Sequence, residues 1–477
     1  MSVNAFKQIL LIFIVCLLPP GGLLAQSLQL ESHSLAGTKN QLPFWLWANQ
    51  LGHYDRNSDV LQNLRITAFN QYIPGDSIFR FEAGIDLDLL IADNTDLRFT
   101  QLFGGFNWKF LQLQIGAFAD KEVYAGLSST NGNLAASRNA RPHPRVRAGF
   151  NRFVPVLVKW FSINGFYEEG LLNDKRYSED AHLHRKALYL RFGQAKSIEV
   201  TGGMEHFVMW GGSHPEYGKL QGWDSYFDYV LGSTGDENSL MTDQLNVIGN
   251  GYGVYQLQIK KAWEKLHAVL YVSHPFDDRS GMELDNIVDN LWGLHLAFRN
   301  KQTAIEDLVL ECFNTKNQSG KYHLVPDENG SAHGRGRDTY FNHGVYKSGA
   351  TYHQMAMVSP LFAPVIVEDG ISMGFENTRY TGFHIGARGA LSSTLQWKGL
   401  LTWSNNFGHH DGNGGSTYSP SRKQSSALGE LNWIPNAKKI SIAVALAADY
   451  GSLYDNGIST ARLGAMLSFN YYLYEKD

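Results

Sequence analysis

Cysteine is almost missing from this chain: Cys16 and Cys312 are the only two. Cys16 lies in an apolar stretch near the start, and if that stretch is removed on export no intramolecular disulfide is possible. The chain must then be held by a core or by closure of a sheet. Cys16 also lacks the small residues that precede a lipoprotein cysteine, so no lipid anchor is read. Charge is sparse, at 18% of residues with a net charge of −4, which excludes the basic face that nucleic acid requires. Beyond the first residues no run of about twenty apolar residues occurs, which excludes a membrane-spanning helix. Catalytic signatures are missing too. There is no Gly-x-Ser-x-Gly, and Gly249-Asn250-Gly251-Tyr252-Gly253 does not follow phosphate-loop spacing.

What is present begins with Lys7 and the apolar run Gln8–Leu18, about ten residues and too short to span a bilayer. Pro19-Pro20-Gly21-Gly22 breaks it, and Leu23-Leu24-Ala25 precedes Gln26. This is the pattern of a signal peptide, residues 1–25, cleaved after Ala25. Loss of Lys7 takes the net charge to −5. Aromatic residues make up 13% and there are 48 glycines, a composition that suits strands with aromatic girdles and many turns.

The strongest internal pattern is alternation. Phe79, Phe81, Ala83, Ile85, Leu87, Leu89 and Ile91 alternate with Arg80, Glu82, Gly84, Asp86 and Asp88. Leu111 to Ala117, Ile440 to Leu446 and Ala461 to Leu473 repeat the pattern. Period two means strands with two unlike faces. The first and last of these runs exceed the five or six residues usual in soluble strands, and a tilted strand needs roughly nine to eleven to cross a bilayer. The apolar face then meets lipid, and Arg80, Glu82, Asp86 and Asp88 line a lumen. The fold predicted is all-β, a transmembrane antiparallel β-barrel. Further strands are read near 62–73, 96–108, 143–153, 156–167, 185–193, 196–208, 253–273, 291–300, 305–314, 371–377, 380–390, 393–404 and 426–434. With the four runs above they make about 17 candidates, and because single-chain barrels have even strand numbers, 18 is favoured, with 16 as the alternative. Residues 26–60 are read as a short periplasmic N-terminal segment packed at the barrel mouth, and 61–477 as the outer-membrane barrel. The stretches 122–142, 209–250 and 315–362 are read as long extracellular loops, enough chain to block the lumen.

Those loops carry a resemblance. Leu127-Ser128-Ser129-Thr130-Asn131-Gly132-Asn133-Leu134 runs into Ser137-Arg138-Asn139-Ala140-Arg141-Pro142. Glu205-His206-Phe207-Val208-Met209-Trp210-Gly211-Gly212 follows. Then come Asp338-Thr339-Tyr340-Phe341-Asn342-His343-Gly344-Val345-Tyr346-Lys347-Ser348-Gly349 and Ser359-Pro360-Leu361-Phe362. With Pro43-Phe44-Trp45-Leu46 near the start, these four segments in order resemble the Wzi family of capsule-assembly outer-membrane proteins, Bacteroides type. The resemblance implies assembly or surface attachment of capsular or other extracellular polysaccharide by a lectin-like barrel rather than an enzyme. It implies as partners the surface polysaccharide, outer-membrane lipids and the barrel-insertion machinery. The sequence departs from the pattern at Ala350, where Trp is the family's residue, and at Glu475-Lys476-Asp477, which follow the aromatic Tyr474 on which such barrels usually end. A porin or sugar-permeable channel is the alternative function.

Candidate glycan-binding residues are Arg138, Asn139, Arg141, Trp210, Asp338, Tyr340, Asn342 and Tyr346. Arginine forks suit carboxylates, amides both donate and accept, and an aromatic ring packs on a sugar face. The competing reading pairs the arginines with lumen acids such as Asp86 or Asp88, and makes Trp210 a packing aromatic. No cofactor, metal or catalytic residue is assigned. His409-His410-Asp411 places its histidines on opposite faces and reads as a polar loop. Asp277-Asp278-Arg279-Ser280-Gly281 lacks the spaced ligands of a calcium loop and reads as a turn.

Overall fold

The computed structural model describes residues 27–73, 78–193, 198–232, 248–299, 304–322, 324–326, 332–334, 336–411, 415–435 and 439–475. The leader and its cleavage after Ala25 lie outside the described residues. Eighteen long strands pair antiparallel, each with its neighbour in sequence, from Ser27–Gly37 to Thr460–Glu475. The three-residue strand Val154–Val156 adds to the same sheet. Ser27–Gly37 pairs with Val60–Tyr72 on one side and with Thr460–Glu475 on the other, which closes the cylinder. Closure satisfies each backbone group along the wall, the condition a bilayer imposes.

Closure by Ser27–Gly37 corrects the reading of 26–60 as a separate periplasmic segment. The first eleven described residues are wall, and their sequence hides it because Ser32, Ser34 and Ala36 give little contrast between the faces. Two other strand readings change. The stretch 253–273 is two strands, Asn250–Ala262 and Leu266–Phe276, turned at Trp263-Glu264-Lys265. Residues 371–377 are not wall: Ile371–Phe375 forms a small hairpin with Val365–Glu368 inside a long loop. Two strands gained and one lost give the predicted eighteen.

The faces divide as the alternation requires. Along Ile440–Gly451, Val444 and Leu446 are exposed while Ala443, Ala445 and Ala447 are buried. Phe79, Trp108, Trp160, Phe192, Phe298 and Trp433 are exposed at the end that carries the short turns, an aromatic girdle where hydrocarbon meets headgroups. Both chain ends of the barrel lie there as well. All the long connections, 38–59 among them, leave from the opposite end.

They do not stay outside. Phe44–Trp47 forms a short buried helix seated on the inner faces of Arg422–Trp433, Ile440–Gly451 and Thr460–Glu475. The small inward alanines of Ile440–Gly451 leave it room, and the Phe44 N–H donates to Asp449 Oδ2 at 2.9 Å. Residues from 118–143 and 336–378 join it in one buried cluster that includes Trp45, Leu127, Leu134, Phe341 and Phe362. The lumen is filled by the protein's own chain.

Candidate functional site

The segment that begins at Leu127 is built around one inward carboxylate. Glu311, on the strand Asp307–Asn314, accepts from Ser128 Oγ at 2.5 Å, Ser129 N at 2.9 Å, Ser129 Oγ at 2.5 Å and Tyr271 Oη at 2.6 Å. A buried carboxyl group is tolerated when its oxygens are bonded this fully. The Tyr124 ring stacks on Tyr271 at 4.1 Å, and His384 Nε2 donates to Leu127 O at 2.7 Å. The Ser-Ser pair is therefore a fastening to the wall.

The third segment is fastened in the same way. Asp338 accepts from Ser319 Oγ at 2.6 Å and Ser280 Oγ at 3.3 Å. Burial, followed by the negative charge of Asp278, pushes its carboxyl up to about 7. Tyr340 is fully enclosed: it accepts from Asn286 Nδ2 at 2.5 Å and donates to Asp289 Oδ2 at 2.9 Å. Asn342 exchanges bonds with the Phe375 backbone, at 3.0 and 2.8 Å. Tyr346 Oη donates to Gly211 O at 3.2 Å, tying the third segment to the second. Ala350 is completely buried.

Trp210 belongs to a second apolar cluster, separate from the lumen core, with Val208, Tyr229 and Ile248. It stacks on His182 at 4.4 Å, meets Trp223 edge-on at 4.8 Å, and its Nε1 donates to Glu169 Oε2 at 3.4 Å. Gly212 turns the chain after it with φ of 83°, where a Cβ would lie 2.5 Å from Glu179 O.

The two arginines part company. Among the described residues Arg141 makes no hydrogen bond or ion pair, and it borders a cavity of about 50 Å³. Beside that cavity Asp120 bridges Arg147 at 2.7 Å and Arg185 at 2.6 Å, Glu168 meets Arg147 at 2.6 Å, and Glu205 meets Arg185 at 2.6 Å. Burial alone would raise the Asp120 carboxyl; Arg185, Arg147 and Arg145 hold it well below the usual range. The alternation Arg145-Val146-Arg147 signals this network, but its acids come from distant segments and escape sequence reasoning. Asp86 and Asp88 are engaged by neither candidate arginine. His53 takes that place, with Nδ1 2.9 Å from Asp88 and Nε2 3.6 Å from Asp86. These three are the one described group whose spacing could hold a metal ion. Asp88 is already bonded by Asn63 Nδ2 at 2.8 Å and Thr100 Oγ1 at 2.5 Å, so the trio clamps 38–59 to the wall.

Arg138 borders a larger cavity, about 340 Å³, between the underside of the inserted segments and the short-turn end. Its Nη1 donates to Asp120 O, and its Nε lies 3.7 Å from Glu122. Asn139 stands behind it, buried, accepting from Asn49 N at 3.2 Å and donating to Ala356 O at 3.0 Å.

A closed eighteen-strand wall, a self-filled lumen and these fastening segments are now joined by one comparison. The sequence profile of capsule assembly protein Wzi matches residues 44–364, two thirds of the chain. The protein belongs to the Wzi family.

The match spans all the fastening segments described above, from the buried helix to Ser359-Pro360-Leu361-Phe362. Among solved structures this Wzi family member is similar to Escherichia coli Wzi, an outer-membrane protein of group 1 capsule assembly described as a carbohydrate-binding β-barrel. The two share 11% identity with a TM-score of 0.55, over 97% of this chain and 86% of that one. The outer membrane protein OprD of Pseudomonas aeruginosa is also similar, with 9% identity and a TM-score of 0.46 over 94% and 93% of the chains. Curated protein sequences give no match. His409 and His410 bond to Phe375 O at 2.8 Å and Asn317 O at 3.1 Å, as a polar loop does. Asp278 begins the short helix Arg279–Met282 by accepting from Ser280 N at 2.8 Å.

Proposed function

We propose that this outer-membrane barrel assembles capsular or other extracellular polysaccharide at the cell surface, binding glycan as a lectin does and neither conducting solute nor catalysing a reaction. The observation that carries this is the filled lumen: wall carboxylates that a channel would offer to water, Glu311 and Asp449, are spent on the protein's own inserted segments. Family membership supplies the polysaccharide. Export with removal of residues 1–25 and handling by the barrel-insertion machinery complete the proposal. Arg138 and Arg141 remain the proposed glycan contacts among the candidates, because each borders a cavity, whereas the other six are held in contacts within the protein. The test is a pair of measurements on purified barrel: binding of polysaccharide from its own cells, and conductance in planar bilayers. Binding without stable conductance is the expected outcome. Large, steady conductance without binding overturns the proposal in favour of a channel.

A further inference from the structure

A cavity of about 340 Å³ lies between the inserted segments and the short-turn end. Its wall residues come from the ends of three neighbouring strands: Arg388 from Arg379–Ala390, Gln396 and Lys398 from Leu395–Gly408, and Glu430 and Asn432 from Arg422–Trp433. Its roof is Trp45 and Asn49 from the buried helix and the turn after it, with Arg138 from the segment Ser137–Pro142. Roof and wall are far apart in sequence.

The chemistry around it is unfinished. Trp45 is only 3% exposed, yet its Nε1 donates to no partner among the described residues. Asn49 Oδ1, Asn432 Oδ1 and Arg138 Nε are also buried and make no hydrogen bond. Burying such a group unbonded is unfavourable, and four of them border one space. They comprise two donors and two acceptors. The charges nearby are nearly balanced: Lys398 lies 3.3 Å from Glu430, Arg388 2.9 Å from Asp307 and Arg138 3.7 Å from Glu122. Arg388 is 46% exposed, so the space is reached from solvent. A strongly charged anion would have to break these pairs. A ligand carrying many hydroxyls, each both donor and acceptor, fits the alternating donors and amides without breaking any. The volume lies in the range of small-ligand pockets.

We infer that this cavity is a glycan subsite, which takes one or two sugar units of the polysaccharide from the short-turn, periplasmic side of the barrel. It rests on the glycan-binding reading above and adds the side of entry and the residues. Asn432 and Arg138 bond sugar hydroxyls, Trp45 Nε1 donates from the roof, and the inserted segments bar passage further through the lumen. The subsite is thus a dead end that holds a chain without conducting it.

The test is calorimetric titration of purified barrel with oligosaccharides made by partial hydrolysis of polysaccharide from the protein's own cells. The variants are Asn432→Leu, Gln396→Leu and Asn432→Leu with Arg138→Ala. A control pair at the opposite end is Lys347→Ala with Tyr177→Phe. Folding of each is verified by the shift in gel mobility between unheated and boiled samples. Binding by the wild type, a tenfold or greater loss in the cavity variants and no loss in the control establish the subsite. Binding that survives all three cavity variants overturns the subsite and leaves the glycan-binding function standing. A wild type that binds no oligosaccharide overturns both. If Asn432→Leu misfolds, Gln396→Leu alone decides, since its side chain carries no bond among the described residues.

Discussion

At the residue scale the molecule depends on inward polar side chains that anchor inserted chain. Glu311 is the clearest case, with four donors on one carboxylate. Glu311→Ala leaves those donors unbonded in a buried place, at about 1–3 kcal/mol apiece before relaxation. The expected result is a lower temperature of the mobility shift in gels, together with new, flickering conductance as the segment 118–143 loosens. Glu311→Gln, which keeps one acceptor oxygen and puts a donor amide in place of the other, should fall between. Asp338 gives a pH dependence of known sign. Its carboxyl is raised from 3.8 to about 7, so the folded chain holds that proton more tightly than the unfolded chain does. Stability therefore falls as pH rises from about 4 through about 7, and the loss is complete above it. Asp338→Asn removes this contribution. Melting in detergent at pH 5 and pH 8 should show a larger drop for wild type than for the variant, and equal drops would refute the assignment.

At the scale of elements, the wall was legible and the filling was not. Phe79–Ile91 could be bounded from sequence because bulky apolar residues face one way and charges the other. Ser27–Gly37 could not, because serine and alanine suit either face, and 253–273 read as one strand because its turn is short. That chain outside the strands would block the lumen followed from its amount. Which residues hold it did not, since Glu311, His384 and Asp449 find partners hundreds of positions away. The binding chemistry attributed to Asp338, Tyr340, Asn342 and Tyr346 reflects the same difficulty: residues able to bond sugars are equally able to bond a neighbouring segment.

Two predictions belong to elements. Ala117 and Pro144 are paired neighbours on adjacent strands, so a short Gly-Ser turn can replace residues 120–141 and leave the wall intact. That deletion should still insert and show a gel mobility shift, and should open conductance that the wild type lacks. The second concerns the helix Tyr226–Leu231, which lies against the outside of the wall, with Tyr226 bonded to Tyr167 and the Lys186 ammonium donating to Val230 O. Trp223, Phe227 and Leu231 recur every fourth residue and are 63%, 74% and 75% exposed. They continue the apolar band of Leu188, Leu190 and Phe192 below them, the arrangement of a helix lying in the membrane interface. A nitroxide at Phe227→Cys, in a Cys312→Ser background, should be more accessible to oxygen than to a water-soluble nickel chelate. The reverse order places the helix in water.

At the scale of the whole molecule, a closed wall, a filled lumen and Wzi family membership support the proposal of a barrel that holds surface polysaccharide instead of passing solutes. Salt should weaken that binding wherever arginines contribute at exposed positions, whereas hydroxyl contacts in the cavity should be little affected. The most direct test is the distribution of polysaccharide between cells and medium in a strain lacking this protein, with wild type or Asn432→Leu/Arg138→Ala restored. A barrel that holds surface polysaccharide requires cell-bound polysaccharide to fall and shed polysaccharide to rise without the protein, with total output unchanged. The wild type should reverse the shift and the double variant should reverse it only in part. An unchanged distribution in the strain lacking the protein would contradict it.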